Sequence, residues 1–170
     1  SDAALSTQTT SPNLPNLLSP PDTDSISTDS PMEKHVEPRI VDLPRIYDPR
    51  GNLPFVQHGD SALPFAIERV YWIYDVPAGE TRGAHSHRKG QELITATSGC
   101  FTVNLFDGKI WRHYTMNRPF QALYVPPGYW RTLDNFSSGS VCMVFSSTPY
   151  SEDDYVRDYE EFIALSKANE

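Results

Sequence analysis

The sequence predicts an all-β domain folded as a jelly-roll barrel, with a short C-terminal helix behind it and a disordered N-terminal tail ahead of it. Three observations carry that expectation. From Ile40 onward, short runs of β-branched and aromatic residues recur between clusters of turn residues. Many short antiparallel strands within one domain's length favour a sandwich or jelly roll. After Tyr150 the apolar residues change to helical spacing.

The elements follow in order. Residues 1–36 are dominated by Ser, Thr, Pro and Asp (SPNLPNLLSPPDTDSISTDSP) and hold neither a helical nor a strand period. Little there could offset the entropy of ordering the chain. This stretch is the expected disordered tail, and 37–170 the folded domain. Met32, where the composition changes, is the expected original start, with the residues before it an upstream extension. Strands are expected at 40–43, 53–57, 67–76, 92–98, 100–106, 109–116, 122–125, 130–135 and 141–146. Between them stand Asp48-Pro49-Arg50-Gly51, Pro77-Ala78-Gly79, Ser98-Gly99, Asp107-Gly108 and Pro126-Pro127-Gly128. Asp107-Gly108 tolerates the positive φ of a tight hairpin turn. Ser151 reads as a helix N-cap followed by acids in a first turn. Tyr155, Tyr159, Phe162 and Ile163 then fall at helical spacing and read as packing residues.

Composition excludes several functions. The 14 Lys and Arg against 22 Asp and Glu give a net charge of -8, the wrong sign for a general nucleic-acid partner. A few local arginines can still hold a small anion such as a diphosphate. No apolar run approaches the ~20 residues of a membrane helix. The N-terminus carries no secretory pattern, so a cytoplasmic protein is expected. Cys100 and Cys142 lie far apart without metal spacing and read as small buried residues.

The segment from Gly79 to Gly99 carries the chemistry. It places Gly79, then His85-Ser-His87, then Glu92, then Gly99 at set intervals. Residues two apart on a strand share a face, so His85 and His87 both look into the barrel. A second motif runs Pro126-Pro-Gly128-Tyr-Trp-Arg131. The two motifs, in order and correctly spaced, resemble those of the cupin fold. In metal-binding cupins a histidine stands at the position of Arg131. A guanidinium stays protonated and has no lone pair to give a metal. The usual four-ligand site is therefore broken, although His85, His87 and Glu92 could still make a two-histidine, one-carboxylate set.

A closer resemblance lies in Arg69-Val-Tyr-Trp-Ile-Tyr-Asp-Val-Pro-Ala-Gly, Asp48-Pro-Arg-Gly-Asn, Leu123-Tyr-Val-Pro-Pro-Gly-Tyr-Trp-Arg and Asp153-Asp-Tyr-Val-Arg-Asp-Tyr. From about Ile40 to about Leu165 the chain resembles the dTDP-4-keto-6-deoxyglucose 3,4-ketoisomerases. The resemblance implies a cofactor-free isomerase of a dTDP-linked 4-keto-6-deoxy sugar. It also implies a homodimer with exchanged N-terminal strands, acting on the route to 3-amino-3,6-dideoxy sugars of surface polysaccharides. The family usually has Gln where this chain has Glu92, which restores a carboxylate. Two other readings stay open: a metal-dependent cupin enzyme using His85, His87 and Glu92, and a non-catalytic sugar-nucleotide binder.

Moving a ketone between neighbouring carbons needs a base near neutrality and a stabiliser for an oxyanion. His85 is the expected base, with His87 its orienting partner or a second acid-base group. The resemblance aligns Tyr71 with an active-site tyrosine, whose hydroxyl could polarise the ketone or pass a proton. Trp72 and Tyr74 point to the other face and read as packing. Arg131 is expected to face the cavity and meet sugar or phosphate. Arg82 is expected to clamp the diphosphate, and Arg50 to enter a neighbouring subunit's pocket if strands are exchanged. Tyr124 or Trp130 could stack on thymine.

Overall fold

Strand alternation sorts residues 36–169, the part described by the computed structural model, into two facing five-stranded sheets. The tail expected before them lies outside the described residues up to position 35. Val36 already contacts the domain, where its carbonyl accepts from the Tyr129 hydroxyl at 3.3 Å.

The strands are β1 (Arg39–Asp42), β2 (Arg45–Ile46), β3 (Leu53–Pro54), β4 (Arg69–Tyr74), β5 (Arg82–His87) and β6 (Glu92–Ser98). They continue as β7 (Phe101–Phe106), β8 (Trp111–Met116), β9 (Gln121–Val125), β10 (Trp130–Asp134), β11 (Val141–Ser146) and β12 (Tyr155–Val156). Helix α1 (Tyr159–Ala168) follows. One sheet runs β1-β9-β6-β11-β4, the other β12-β5-β10-β7-β8, and β2 and β3 form a small ribbon. The pairings are antiparallel throughout. β1 pairs with β9 of its own sheet.

Side-chain parity explains the burial. Ile94 and Ala96 of β6, Leu123 and Val125 of β9, and Cys142 and Val144 of β11 point between the sheets. They meet Phe101, Val103 and Leu105 of β7 there. The alternate residues Leu93, Ala122 and Tyr124 face outward, yet they are buried too. Leu43, just after β1, and Leu63 and Phe65 of the long connection before β4 cover them. β9 is thus covered on both faces, which is why Ala122–Val125 reads as a continuous apolar run rather than an alternating one. On β4 Arg69, Tyr71 and Ile73 face inward; Trp72 and Tyr74 are exposed rather than packed.

Several boundaries differ from expectation, each for a local reason. The 107–110 loop is longer than a two-residue turn, because Phe106 pairs with Trp111. There the Asp107 carboxylate accepts from the backbone N–H groups of Lys109 and Ile110. Ser151 makes no side-chain cap; Asp158 caps the helix instead, accepting from the Glu161 N–H at 2.8 Å. Tyr155 and Val156 leave the helical pattern to pair with His87 and Ser86 of β5. Tyr159, Phe162 and Ile163 do lie on α1, and Phe162 packs on Phe106 and Trp130. Cys100 and Cys142 are free thiols, Cys142 buried. Among the described residues, no helix is long and apolar enough to cross a membrane.

Candidate active site

β5 and β10 bring the two sequence motifs together. Arg131 lies opposite His85 in the ladder, and the register then slips before Leu133 meets Arg82. Gly83 sits in that slip with φ +81, and a Cβ there would strike the Leu133 side chain at 2.8 Å. A glycine is needed on both counts. The bulge keeps His85 and His87 aimed between the sheets. Their Nε2 atoms stand 3.2 Å apart.

Glu92 opens β6 directly behind the pair. One of its oxygens lies 3.0 Å from His87 Nε2 and accepts from Arg131 Nη1; the other accepts from the Tyr71 hydroxyl at 2.6 Å. Glu92 and Arg131 are 0% and 1% exposed. Two of Arg131's other donors, Nε and Nη2, have no hydrogen-bond partner among the described residues. His87, also buried, presents Nδ1 to Asp154 Oδ2 at 2.9 Å.

A cavity of about 560 Å³ opens in front of this cluster. Tyr71, His85 and Arg131 line it, as do four cationic or aromatic residues from outside the motifs: Arg69, Tyr150, Tyr155 and Arg157. Arg82 stands at its wall as expected. The Tyr155 ring lies 4.9 Å from that of His85 and 4.5 Å from that of His87, with the Arg157 guanidinium 4.3 Å from its centre. Tyr155 therefore belongs to the site rather than to helix packing. Arg69 was legible by parity, two residues before Tyr71 on the same strand. Asp154, Tyr155 and Arg157 lie in a segment that carried the family resemblance, but nothing in their spacing marked them as site residues.

Three expected binding residues lie elsewhere in this chain. Tyr124 faces outward on β9, donates to Gln91 Oε1 at 2.7 Å and packs on Phe65. Trp130 precedes inward-facing Arg131, so parity turns it to the opposite face, against Tyr159 and Phe162. Arg50 is 90% exposed and paired with Asp48 in its own turn.

The electrostatics assign different states to these groups. Burial, then the Arg131 charge, then His87 push the His85 imidazolium down to about 3, so His85 is neutral at physiological pH. Burial would raise Glu92, but Arg131, His87 and Tyr71 overcome it and hold the carboxylate well below its usual range. Burial and the Glu92 charge push the Tyr71 hydroxyl far up, so it keeps its hydrogen. A stability effect follows for His85. Between its unfolded value of 6.5 and about 3, the unfolded chain binds a proton that the folded one refuses. Stability therefore falls as pH falls through that window. Urea unfolding at pH 7 and pH 5 is expected to show a loss that His85→Asn reduces. An unchanged slope in the variant would refute the assignment.

His85, His87 and Glu92 offer three ligand atoms within 4.8 Å of one another. They do not fit a divalent metal as arranged. Arg131 donates to the Glu92 oxygen nearest His87, and Tyr71 takes the other oxygen. A fixed cation thus holds the one carboxylate such a site would need.

The family model described as "FdtA: WxcM-like, C-terminal" matches residues 36–167. The chain is 37% identical over 127 residues to a TDP-4-oxo-6-deoxy-alpha-D-glucose-3,4-oxoisomerase of Aneurinibacillus thermoaerophilus, covering 75% of this chain and 91% of that one. It is similar to the crystal structure of a 3,4-ketoisomerase from Helicobacter canadensis, with a TM-score of 0.75, 32% identity, and coverage of 78% and 99%. It is also similar to a histidine-to-asparagine variant of the QdtA 3,4-ketoisomerase from Thermoanaerobacterium thermosaccharolyticum, solved with TDP-4-keto-6-deoxyglucose. That match has a TM-score of 0.74, 31% identity, and coverage of 77% and 94%.

Proposed function

Because the chain belongs to the WxcM-like FdtA family of dTDP-sugar 3,4-ketoisomerases, we propose that it moves the ketone of TDP-4-keto-6-deoxyglucose from carbon 4 to carbon 3 by proton transfer at His85. The observation that carries this reading is a neutral imidazole at the cavity wall, opposite a buried arginine with unpaired donors.

The carbon-4 ketone acidifies the hydrogen on carbon 3. His85 takes that hydrogen as a proton, and the electron pair moves onto the carbon-4 oxygen to give an enediolate. Arg131 Nε or Nη2 donates to that oxyanion, which is worth far more in a dry site than in water. The carbon-3 hydroxyl hydrogen passes to the carbon-4 oxygen, the proton held by His85 returns to carbon 4, and the ketone stands at carbon 3. His87 backs His85 at 3.2 Å and steadies the ring through each protonation. Tyr71 keeps its hydroxyl hydrogen on Glu92 and holds the Glu92–Arg131 pair in place. Arg69, Arg82 and Arg157 surround the cavity and suit the diphosphate.

The same reading makes the reaction metal-free and places it before amination at carbon 3, in the making of 3-amino-3,6-dideoxy sugars for surface polysaccharide. A cytoplasmic homodimer suits this role, with Arg50 free to reach a second copy's cavity if β1 is exchanged.

The test is incubation with TDP-4-keto-6-deoxyglucose in deuterated water after chelator treatment, followed by NMR. Deuterium at the exchanging carbons with a new 3-keto sugar is expected. Loss of turnover on chelation, restored by a divalent metal, would overturn the metal-free reading. Binding of TDP without exchange would leave a binding protein only.

A further inference from the structure

We propose that Asp154 is a positioning residue whose carboxylate fixes the hydrogen on Nδ1 of His87 and so presents the ring's other edge to His85. The inference rests on the ketoisomerase reading of the cavity.

Asp154 ends a single turn of 3-10 helix, Glu152–Asp154, just before β12 pairs with β5. It lies far from the histidines in sequence, yet it is bound to their loop by both backbone and side chain. Its carbonyl accepts from the Arg88 N–H at 2.8 Å. Its Oδ1 accepts from the Lys89 N–H at 2.7 Å. Its Oδ2 lies 2.9 Å from His87 Nδ1. The Gly90 N–H lies at 3.3 and 3.2 Å from the two oxygens.

A carboxylate oxygen only accepts, so the nitrogen facing it carries a hydrogen. That choice sets the tautomer and the rotation of the ring. The opposite nitrogen, Nε2, is then the edge that meets His85 Nε2 at 3.2 Å and a second carboxylate oxygen, Glu92 Oε1, at 3.0 Å. By the same rule Glu92 holds a hydrogen on Nε2, so the two acids grip the ring from both sides and fix its orientation beside His85.

Gly90 supplies independent support. A Cβ there would stand 2.7 Å from Asp154 Oδ2, 3.3 Å from Thr148 Oγ1 and 3.4 Å from His87 Nδ1. The space a side chain would need is filled by the acid and the imidazole it holds. Gly90 is kept small by this contact.

Anchoring and positioning are separable. Asp154→Asn retains an oxygen for Lys89 and Gly90, but its amide turns a donor toward His87 Nδ1 and favours the wrong tautomer. In the full-length protein, kcat is expected to fall ~100-fold or more, in the range of general acid-base losses. KM and TDP affinity should stay within about threefold, since the arginines are untouched. Imidazole ¹⁵N NMR should show the His87 hydrogen on Nδ1 in the wild type and displaced from it in Asp154→Asn. Gly90→Ala should lower kcat in the same way without altering any titrating group. A kcat within about threefold of wild type in Asp154→Asn would overturn the proposal. So would an unchanged His87 spectrum, or parallel losses of kcat, TDP binding and melting temperature, which mark a merely structural role. If the wild type fails to isomerise, the ketoisomerase reading falls, while the spectrum still decides whether Asp154 sets the tautomer.

Discussion

His85→Asn is expected to reduce turnover by about a thousandfold or more while TDP affinity stays near wild type. Asparagine keeps a polar atom near the imidazole position but cannot take a carbon-bound proton at neutral pH. A free imidazole is already mostly neutral at pH 7, and burial beside Arg131 keeps His85 neutral at lower pH as well. A base held this far down is weak as a proton acceptor in solution. In the proposed mechanism the guanidinium that weakens it also stabilises the enediolate, so the proton and the electron pair move toward prepared sites. Steady-state kinetics with isothermal titration of TDP would check both halves. Turnover above about a tenth of wild type would move the base to another residue.

Arg131→Leu is expected to cost ~3–5 kcal/mol of stability, because it strands the Glu92 carboxylate at 0% exposure. The melting temperature should fall by about 10 °C or more. Adding Glu92→Gln should return most of that loss, since the stranded charge rather than the missing arginine dominates the cost. The double-mutant cycle would then show a large coupling between the two positions. Two independent, additive losses would mean that the pair is not one buried unit. Neither variant should recover catalysis, because the oxyanion donors are absent from both.

The parts of the site that were legible in the sequence are those whose partners are set by short-range geometry. The two-residue spacing of His85 and His87 fixes a common face on any strand, and the ends of β6 and β11 fall where expected. Arg131 was legible as a cation in a place where a metal ligand is usual. The misplaced residues show what local pattern leaves out. Tyr124 and Trp130 look like stacking aromatics, but their parity is set by Leu123 and Arg131 beside them, and both turn away from the cavity. Asp154 and Tyr155 sit in a stretch with good helical spacing. Only the pairing of β12 with β5, 68 residues back at the Tyr155–His87 position, pulls them into the site. The helical spacing competes with that pairing, and no local pattern announces it.

The laying of β12 on β5 also orders events in time. On the ribosome, the two histidines emerge with the first half of the domain, whereas the acid and the aromatic wall that complete the pocket emerge only after β11. Both layers of the sandwich can close before that, on contacts made by β4 to β11. A nascent chain can therefore be protease-resistant and still inert, and the same holds for a mature chain clipped in the loop after β11. Solubility is a poor proxy for activity in this enzyme, and a bulky fusion close behind α1 threatens the chemistry before it threatens the fold.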